Sequence, residues 1–496
     1  MKQPNILVIM SDQMRADALG CNGNPVIQTP NLDYLARTGV NFPSAYTPNP
    51  ICVPARACMA TGSYPHKCTG FKGNSGAVKG GFPLLAEEFN NRGYATYAIG
   101  KLHYNPYLGP GQGRTTLGFR HTEITESGRL AAAYDGAKGL EEYIDYLETV
   151  GWGGYSRGTG VGNNDIFAVP SPLPEEHCVD SWIVARSIAN LRRHLDETPD
   201  RPFLMFTSFP KPHSPYDPPR PYDAMYDPRK VPPPVGGIED LRARGLDLLC
   251  GRYDQHLWGA LSPAAKQTVK ASYYGLISFQ DTQIGKLLDF LREKDILDDT
   301  VILYTADHGD MMGDFGLYHK RVMYQGSVNI PFILRYPQAL PQGLISRELP
   351  GLQDVLPTLL GFTGEPLQAR ADGLDITPRV NSGMQLRPYF ISQCNDHPER
   401  GHRQLYMLAD REFKYIYHEY GGVEELYDLK NDPCELANLA AAPEHRGRAG
   451  YMRAQLTAWC EDNGDHAMVQ GGKLAFEKPS PAEEAPEHFP FGRRHW

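Results

Sequence analysis

The chain has 496 residues, 41% of them hydrophobic and 22% charged, and carries a formal net charge of -9. That length exceeds one ordinary core, so two domains, or one large domain with a smaller one appended, are expected. The acidic balance argues against a nucleic-acid partner, which would show a basic excess, but a local cationic pocket could still take an anionic substrate against the global sign.

Asn5 to Met10 (NILVIM) reads as a buried strand. It follows Met1-Lys2-Gln3-Pro4 so closely that no secretory leader is expected. Pro30 to Gly39 predicts an amphipathic helix with Leu32, Leu35 and Ala36 on one face. Cys52 to Gly62 predicts a loop entering a helix. Leu84 to Arg92 predicts a helix, then a strand at Ala95 to Ile99. The same helix-then-strand rhythm returns at Val179 to His194 with Phe203 to Ser208, and at Ala271 to Lys294 with Thr300 to Tyr304. Repetition of this kind points to an α/β fold, a large and mostly parallel sheet sandwiched by helices. Residues 105–170, rich in Gly and Tyr, and 209–262, rich in Pro and Arg, break the rhythm and read as walls of a substrate pocket. No run approaches the ~20 apolar residues of a membrane span. Nine cysteines, odd in number and without a C-x-x-C pair, indicate neither a disulfide framework nor a zinc ribbon. A reducing, cytoplasmic location is expected.

Polar residues gather just after the predicted strands, where open α/β sheets collect ligands. Ser11-Asp12-Gln13 follows the first strand and Asp307-His308 follows the strand at Thr300 to Tyr304. A carboxylate with an amide oxygen, and a carboxylate with an imidazole, both suit a divalent cation. Taken alone, Asp12 reads equally well as a helix cap. Gly100-Lys101-Leu102-His103, Pro210-Lys211-Pro212-His213 and Gly316-Leu317-Tyr318-His319-Lys320 add cations and imidazoles. Lys101 and Lys320 would serve oxyanions, and His103 and His213 could move protons. Singly, each would be a solvated surface residue; together they describe one pocket.

Cys52-Val53-Pro54-Ala55-Arg56, continued to Thr61-Gly62, reads C-x-P-x-R-x-x-x-x-T-G. With the partners above, the chain resembles the formylglycine-dependent sulfatases of the alkaline phosphatase superfamily. The resemblance implies that a maturation enzyme reads C-x-P-x-R and oxidises Cys52 to formylglycine (3-oxoalanine), whose hydrate is a geminal diol. It implies that Asp12, Gln13, Asp307 and His308 hold one divalent cation with residue 52. Ca²⁺ is the first candidate, and Mn²⁺ the second because of the imidazole. Gln13 stands where a second Asp is more usual, as in the choline-sulfatase and phosphonate monoester hydrolase branches. The implied roles are catalytic for Cys52, Arg56, Lys101, His103, His213 and Lys320. Arg56 and Lys101 orient the diol, His213 with Lys320 serves the leaving oxygen, and His103 deprotonates the second hydroxyl so that sulfate leaves.

The resemblance continues through Asp354-Val355-Leu356-Pro357-Thr358-Leu359 and Gly373-Leu374, where the large domain would close, to Glu425-Leu426-Tyr427-Asp428 and a helix at Glu444 to Asn463. It implies a catalytic domain over 1–378, a small α+β subdomain with an antiparallel sheet over 379–469, and a tail over 470–496. It departs at Gln325 and Asn329, where an acidic and a basic residue are usual near the pocket floor. The Glu/Pro content of the tail argues for disorder, while Phe489, Phe491 and Arg493 to Trp496 suit an interface, including one between copies of the chain. The implied reaction is hydrolysis of a sulfate ester, on a sulfated sugar or aryl sulfate. A phosphonate monoester or phosphodiester hydrolase and an inactive glycan-binding homologue are the alternatives.

Overall fold

The computed structural model describes residues 3–70, 73–74, 76–104, 115–126, 139, 141–250, 261–395 and 403–479. The main sheet has eight strands in the order β4-β3-β5-β1-β6-β7-β2-β8. These are β1 (Asn5–Asp12), β2 (Val40–Asn41), β3 (Ala95–Gly100), β4 (His121–Ile124), β5 (Phe203–Pro212), β6 (Thr300–Ala306), β7 (Phe332–Arg335) and β8 (Leu344–Ile345). β1 lies at the centre, parallel to β5 on one side and β6 on the other. β3 runs parallel to β4 and β5, and β7 runs antiparallel to β6 and β2. Ile6 to Ile9 are wholly buried, so both faces are covered and the run is continuously apolar rather than alternating.

The covering helices are α1 (Pro30–Arg37), α2 (Cys52–Thr61), α3 (Leu85–Asn91), α4 (Val179–Glu197), α5 (Pro263–Glu293) and α6 (Val355–Gly361). α1 buries Leu32, Leu35 and Ala36, as its periodicity predicts. Two helices depart from expectation. α2 starts at Cys52 itself, with extended backbone at Ile51. α5 starts eight residues before Ala271, at Pro263, where the Ser262 hydroxyl accepts from the Ala265 amide at 3.2 Å. Its first buried residue is Val269, so apolar periodicity could not reveal the opening turns.

Register levels the carboxyl ends of the inner strands. Gly100 stands opposite Ser208, Ser208 opposite Met10, and Met10 opposite Thr305. Lys101, Asp12 and Asp307 follow within two residues, on one edge of the sheet.

A second sheet, β12-β11-β10-β9, is antiparallel throughout. Its strands are β9 (Phe390–Asn395), β10 (Gln404–Ala409), β11 (Phe413–His418) and β12 (Val423–Asp428). One face packs Tyr406, Tyr415 and Leu426 against Met452 and Leu456 of α7 (Arg446–Asp462). The other packs Met407, Ile416 and Tyr427 against Met311, Phe315 and Tyr324. Among the described residues no helix is long and apolar enough to cross a membrane. The tail aromatics and Arg493 to Trp496 lie outside the described residues, as do 105–114 and 127–138 of the first irregular segment.

Candidate active site

Cys52 opens α2 and Arg56 lies one turn later, so both side chains share one helix face. Cys52 is 1% exposed and Arg56 is wholly buried. The Cys52 Sγ lies 3.1 Å from His308 Nε2 and 3.8 Å from Asp12 Oδ1. Arg56 donates through Nε to Asp307 Oδ2 at 2.8 Å, and through Nη1 to the Lys101 carbonyl and Ser208 Oγ, each at 3.0 Å. Its Nη2 is buried with no hydrogen-bond partner among the described residues.

Asp12 ends β1, where a bulge shifts the register with β5, and it pairs with the Lys101 ammonium. Gly100, at φ 101°, makes that approach feasible: a Cβ there would lie 2.0 Å from the Ser208 carbonyl oxygen. Gln13 is held at φ 67° by its amide on Asp307 Oδ1 and its carbonyl on the Tyr273 hydroxyl. The His308 Nδ1 donates to the Gly309 carbonyl at 2.9 Å, which turns Nε2 toward Cys52, 3.8 Å from Asp12 and 3.7 Å from Asp307. One ligand atom each from Asp12, Cys52, Asp307 and His308 lies within 4.8 Å of all the others. Two buried carboxylates and an oriented imidazole on adjacent strand ends fit a divalent cation.

Lys320 joins the cluster from the other side. Its ammonium lies 2.6 Å from Gln13 Oε1 and 2.8 Å from His213 Nε2. The His213 Nδ1 donates to the Ser214 carbonyl at 2.9 Å, so Nε2 presents its lone pair to Lys320. His103 is buried two residues past Lys101, with its backbone amide on Glu126 at 2.8 Å. The expected residues therefore gather at one sheet edge, His103 by its place in the chain just past Lys101. Gln325 and Asn329 are spent elsewhere: Gln325 meets Lys414 and Glu435, and Asn329 donates to the Pro43 and Ala45 carbonyls. The chain between them nonetheless closes on the site, where the Ser327 carbonyl accepts from the Gly309 amide at 2.8 Å. Both irregular segments wall a cavity that His213 lines, with Tyr143, Tyr155 and Asn163 from one and Lys211 and Asp217 from the other. Sequence reasoning missed Ser208, Tyr273 and Asp310. Only Asp310 had a signal, as a carboxylate three residues past Asp307.

Charge completes the picture. Burial would raise the Asp12 carboxyl, but Lys101, His213, Arg56 and Lys320 outweigh it and hold it well below the usual range. Burial and Asp12 push the Cys52 thiol up, yet Lys320, Lys101 and His308 bring it down to about 7. Burial opposes a charged His308, and Asp307 with Cys52 reverses that and raises it.

Residues 4–365 match the family model described as Sulfatase, and residues 313–462 match that of the N-sulphoglucosamine sulphohydrolase carboxy-terminal region. The chain belongs to the sulfatase family. An arylsulfatase of Clostridium perfringens is 34% identical over 95% of this chain and 97% of its own. A choline-sulfatase of Rhizobium meliloti is 29% identical over 94% and 87%. The phosphonate monoester hydrolase of Agrobacterium radiobacter superposes with a TM-score of 0.80 at 23% identity, over 96% of this chain and all of that one, and so shares the fold. This sulfatase is thus a sulfuric ester hydrolase on the alkaline phosphatase-like scaffold, with its polar cluster on the carboxyl edge of the main sheet.

Proposed function

We propose that this sulfatase hydrolyses a sulfate ester, of a sugar or an aryl alcohol, through a formylglycine made from Cys52 by a maturation enzyme in a reducing, cytoplasmic setting. The observation that carries the reading is the position of residue 52. It heads α2 with Arg56 on the same face, within contact of Asp12 and His308. A divalent cation, Ca²⁺ or alternatively Mn²⁺, held by Asp12, Gln13, Asp307 and His308 with residue 52, would polarise sulfate and help ionise the nucleophilic hydroxyl. The hydrated aldehyde supplies that hydroxyl and a second one through which sulfate can later be released.

The chain's own groups do the rest. Lys101 and Lys320 face the non-bridging sulfate oxygens from opposite sides of Asp12 and Gln13. Arg56, with Nη2 unspent, orients residue 52. The leaving alcohol oxygen takes its proton from the Lys320–His213 pair, already joined at 2.8 Å. His103 takes the proton of the second hydroxyl. The test is a hydrolysis screen of sulfated monosaccharides, aryl sulfate, choline sulfate and an aryl phosphodiester, with mass spectrometry of the Cys52 peptide. Turnover by protein whose Cys52 is wholly an unmodified thiol would sink the mechanism, and no sulfate release from any ester would sink the function.

A further inference from the structure

Asp310 is wholly buried and takes no part in the mechanism above. Four donors converge on its carboxylate. Oδ2 accepts from Gln13 Nε2 at 2.6 Å and from the Tyr216 hydroxyl at 2.7 Å. Oδ1 accepts from the backbone amides of Met312 at 3.0 Å and His319 at 2.9 Å. Gln13 therefore sits between unlike neighbours, with Asp310 and, at 3.3 Å, the His319 Nδ1 on the side of its nitrogen and Lys320 on the side of its oxygen. A carboxylate can only accept, so the amide nitrogen must face Asp310. The Lys320 ammonium can only donate, so the amide oxygen must face Lys320.

An aspartate at position 13 would need no such arrangement, since both its oxygens are alike. A glutamine is different. Turned end for end, it would offer a donor to a cation and to Lys320, and both contacts would become repulsive. We infer that Asp310 is a positioning residue that fixes the polarity of the Gln13 amide, presenting its oxygen rather than its nitrogen to the cation cluster. The inference rests on the proposed cation site, and it explains how a neutral side chain serves where a carboxylate is more usual.

The test is a double-mutant cycle read by calorimetric titration with Ca²⁺ and Mn²⁺, alongside aryl sulfate turnover. Asp310→Asn should weaken cation binding about tenfold or more, the usual cost of losing a group that orients a ligand. Gln13→Glu should also weaken it, because the new carboxylate would face Asp310 at hydrogen-bond distance. The double variant should recover most of the affinity. Its new amide at position 310 can donate to the new carboxylate at position 13, which still accepts from Lys320. Tyr216→Phe removes another donor from the same Oδ2 and should change affinity less than threefold, about 0.6 kcal/mol.

Several outcomes overturn the inference. One is a double variant no tighter than Asp310→Asn alone. Another is Tyr216→Phe costing as much as Asp310→Asn, which would make Asp310 a plain scaffold residue. A third is Gln13→Glu binding tighter than the unaltered protein, which decides the matter even where Asp310→Asn fails to fold. Unaltered protein that binds neither cation yet turns over fully would instead remove the cation reading, and this inference with it.

Discussion

Two buried charge clusters among the described residues invite comparison: burial wins at the Lys414–Glu435 pair of one and loses at Asp12 in the other. Against the second sheet, Lys414 pairs with Glu435, while Arg244, His418 and the Tyr324 and Tyr427 hydroxyls surround Glu425. There burial lowers the Lys414 ammonium and raises the Glu435 carboxyl, so both partners move toward neutrality despite their pairing, while at Glu425 burial is outweighed by His418, Tyr427 and Arg244. At the carboxyl edge of the main sheet burial is just as complete, but Asp12 moves the other way, held ionised by Lys101, His213, Arg56 and Lys320. The first cluster is closed: each cation has its carboxylate and no work remains. The second gathers Lys101, Arg56 and Lys320 around Cys52, cations placed where they can meet the oxygens of an anion. Burial of charge therefore does not by itself mark function here.

The comparison breaks most sharply at residue 52. Cys52→Ala should abolish turnover while leaving the thermal midpoint within a few degrees, because one small buried atom is lost. Residual turnover above the rate of the uncatalysed reaction, with correctly folded protein, would move the nucleophile elsewhere.

Next come the two pairs themselves. Asp307→Asn and Glu435→Gln each strip a buried cation of its carboxylate, Arg56 in one case and Lys414 in the other. Each should cost about 3–5 kcal/mol of stability, measured by urea unfolding. Only Asp307→Asn should also remove cation binding and turnover. A Glu435→Gln enzyme with normal stability but lost activity would show that the second cluster is not closed.

Selectivity is the third lever. A sulfate monoester exposes three non-bridging oxygens, which Lys101, Lys320 and the cation can share, whereas a phosphate diester replaces one with a bulky group. Losing one charge-assisted contact in a dry site costs about 2–4 kcal/mol of transition-state stabilisation, or two to three decades in kcat/KM. Measuring both esters of one alcohol checks this. A tenfold preference for the diester would align the chemistry, and not only the fold, with the phosphonate monoester hydrolases.

Much of the site was legible in the sequence, because a sheet buried on both faces writes its strands as continuous apolar runs and its chemistry as whatever polar residue comes next. Asp12, Lys101 and Asp307 could each be placed at a strand end for that reason, and the register brings those ends level. The start of α5 was not legible, since its first turns are polar and its Ser-Pro cap is short. The antiparallel direction of β7 was hidden because direction leaves no mark on a four-residue apolar run. The partners of Gln325 and Asn329 were hidden for a similar reason: linear proximity to Lys320 says nothing about which neighbours a side chain meets. Asp310 lay in plain sight, but its partners Gln13 and Tyr216 are remote in sequence.

A third kind of buried carboxylate sharpens the contrast by having no matched cation. Asp180, in the first turn of α4, is wholly buried, and neither of its oxygens has a hydrogen-bond partner among the described residues. Gln280 lies beside it, but that amide also meets Ser11 and the Lys211 carbonyl, and Lys211 is itself paired with Asp217. Burial therefore dominates, and it pushes the Asp180 carboxyl up to about 7 against the weaker pull of Lys211 and Gln280. The sign of the consequence follows from proton counting. Between about pH 4 and 7 the unfolded chain has already released this proton while the folded protein still holds it. Stability should fall as pH rises through that window, by up to about 1.4 kcal/mol per pH unit from this group, with the loss complete above it. Asp180→Asn keeps the shape and removes the titration. It should flatten the decline between pH 5 and pH 8, with the variant melting above the unaltered protein at pH 8. Buried Asp281, raised to about 6, adds a decline of the same sign and should keep the variant's curve from becoming level. Melting temperatures of both proteins across that range decide it: a variant less stable at pH 8 would mean that Asp180 is ionised and partnered, like Asp12 and Glu425.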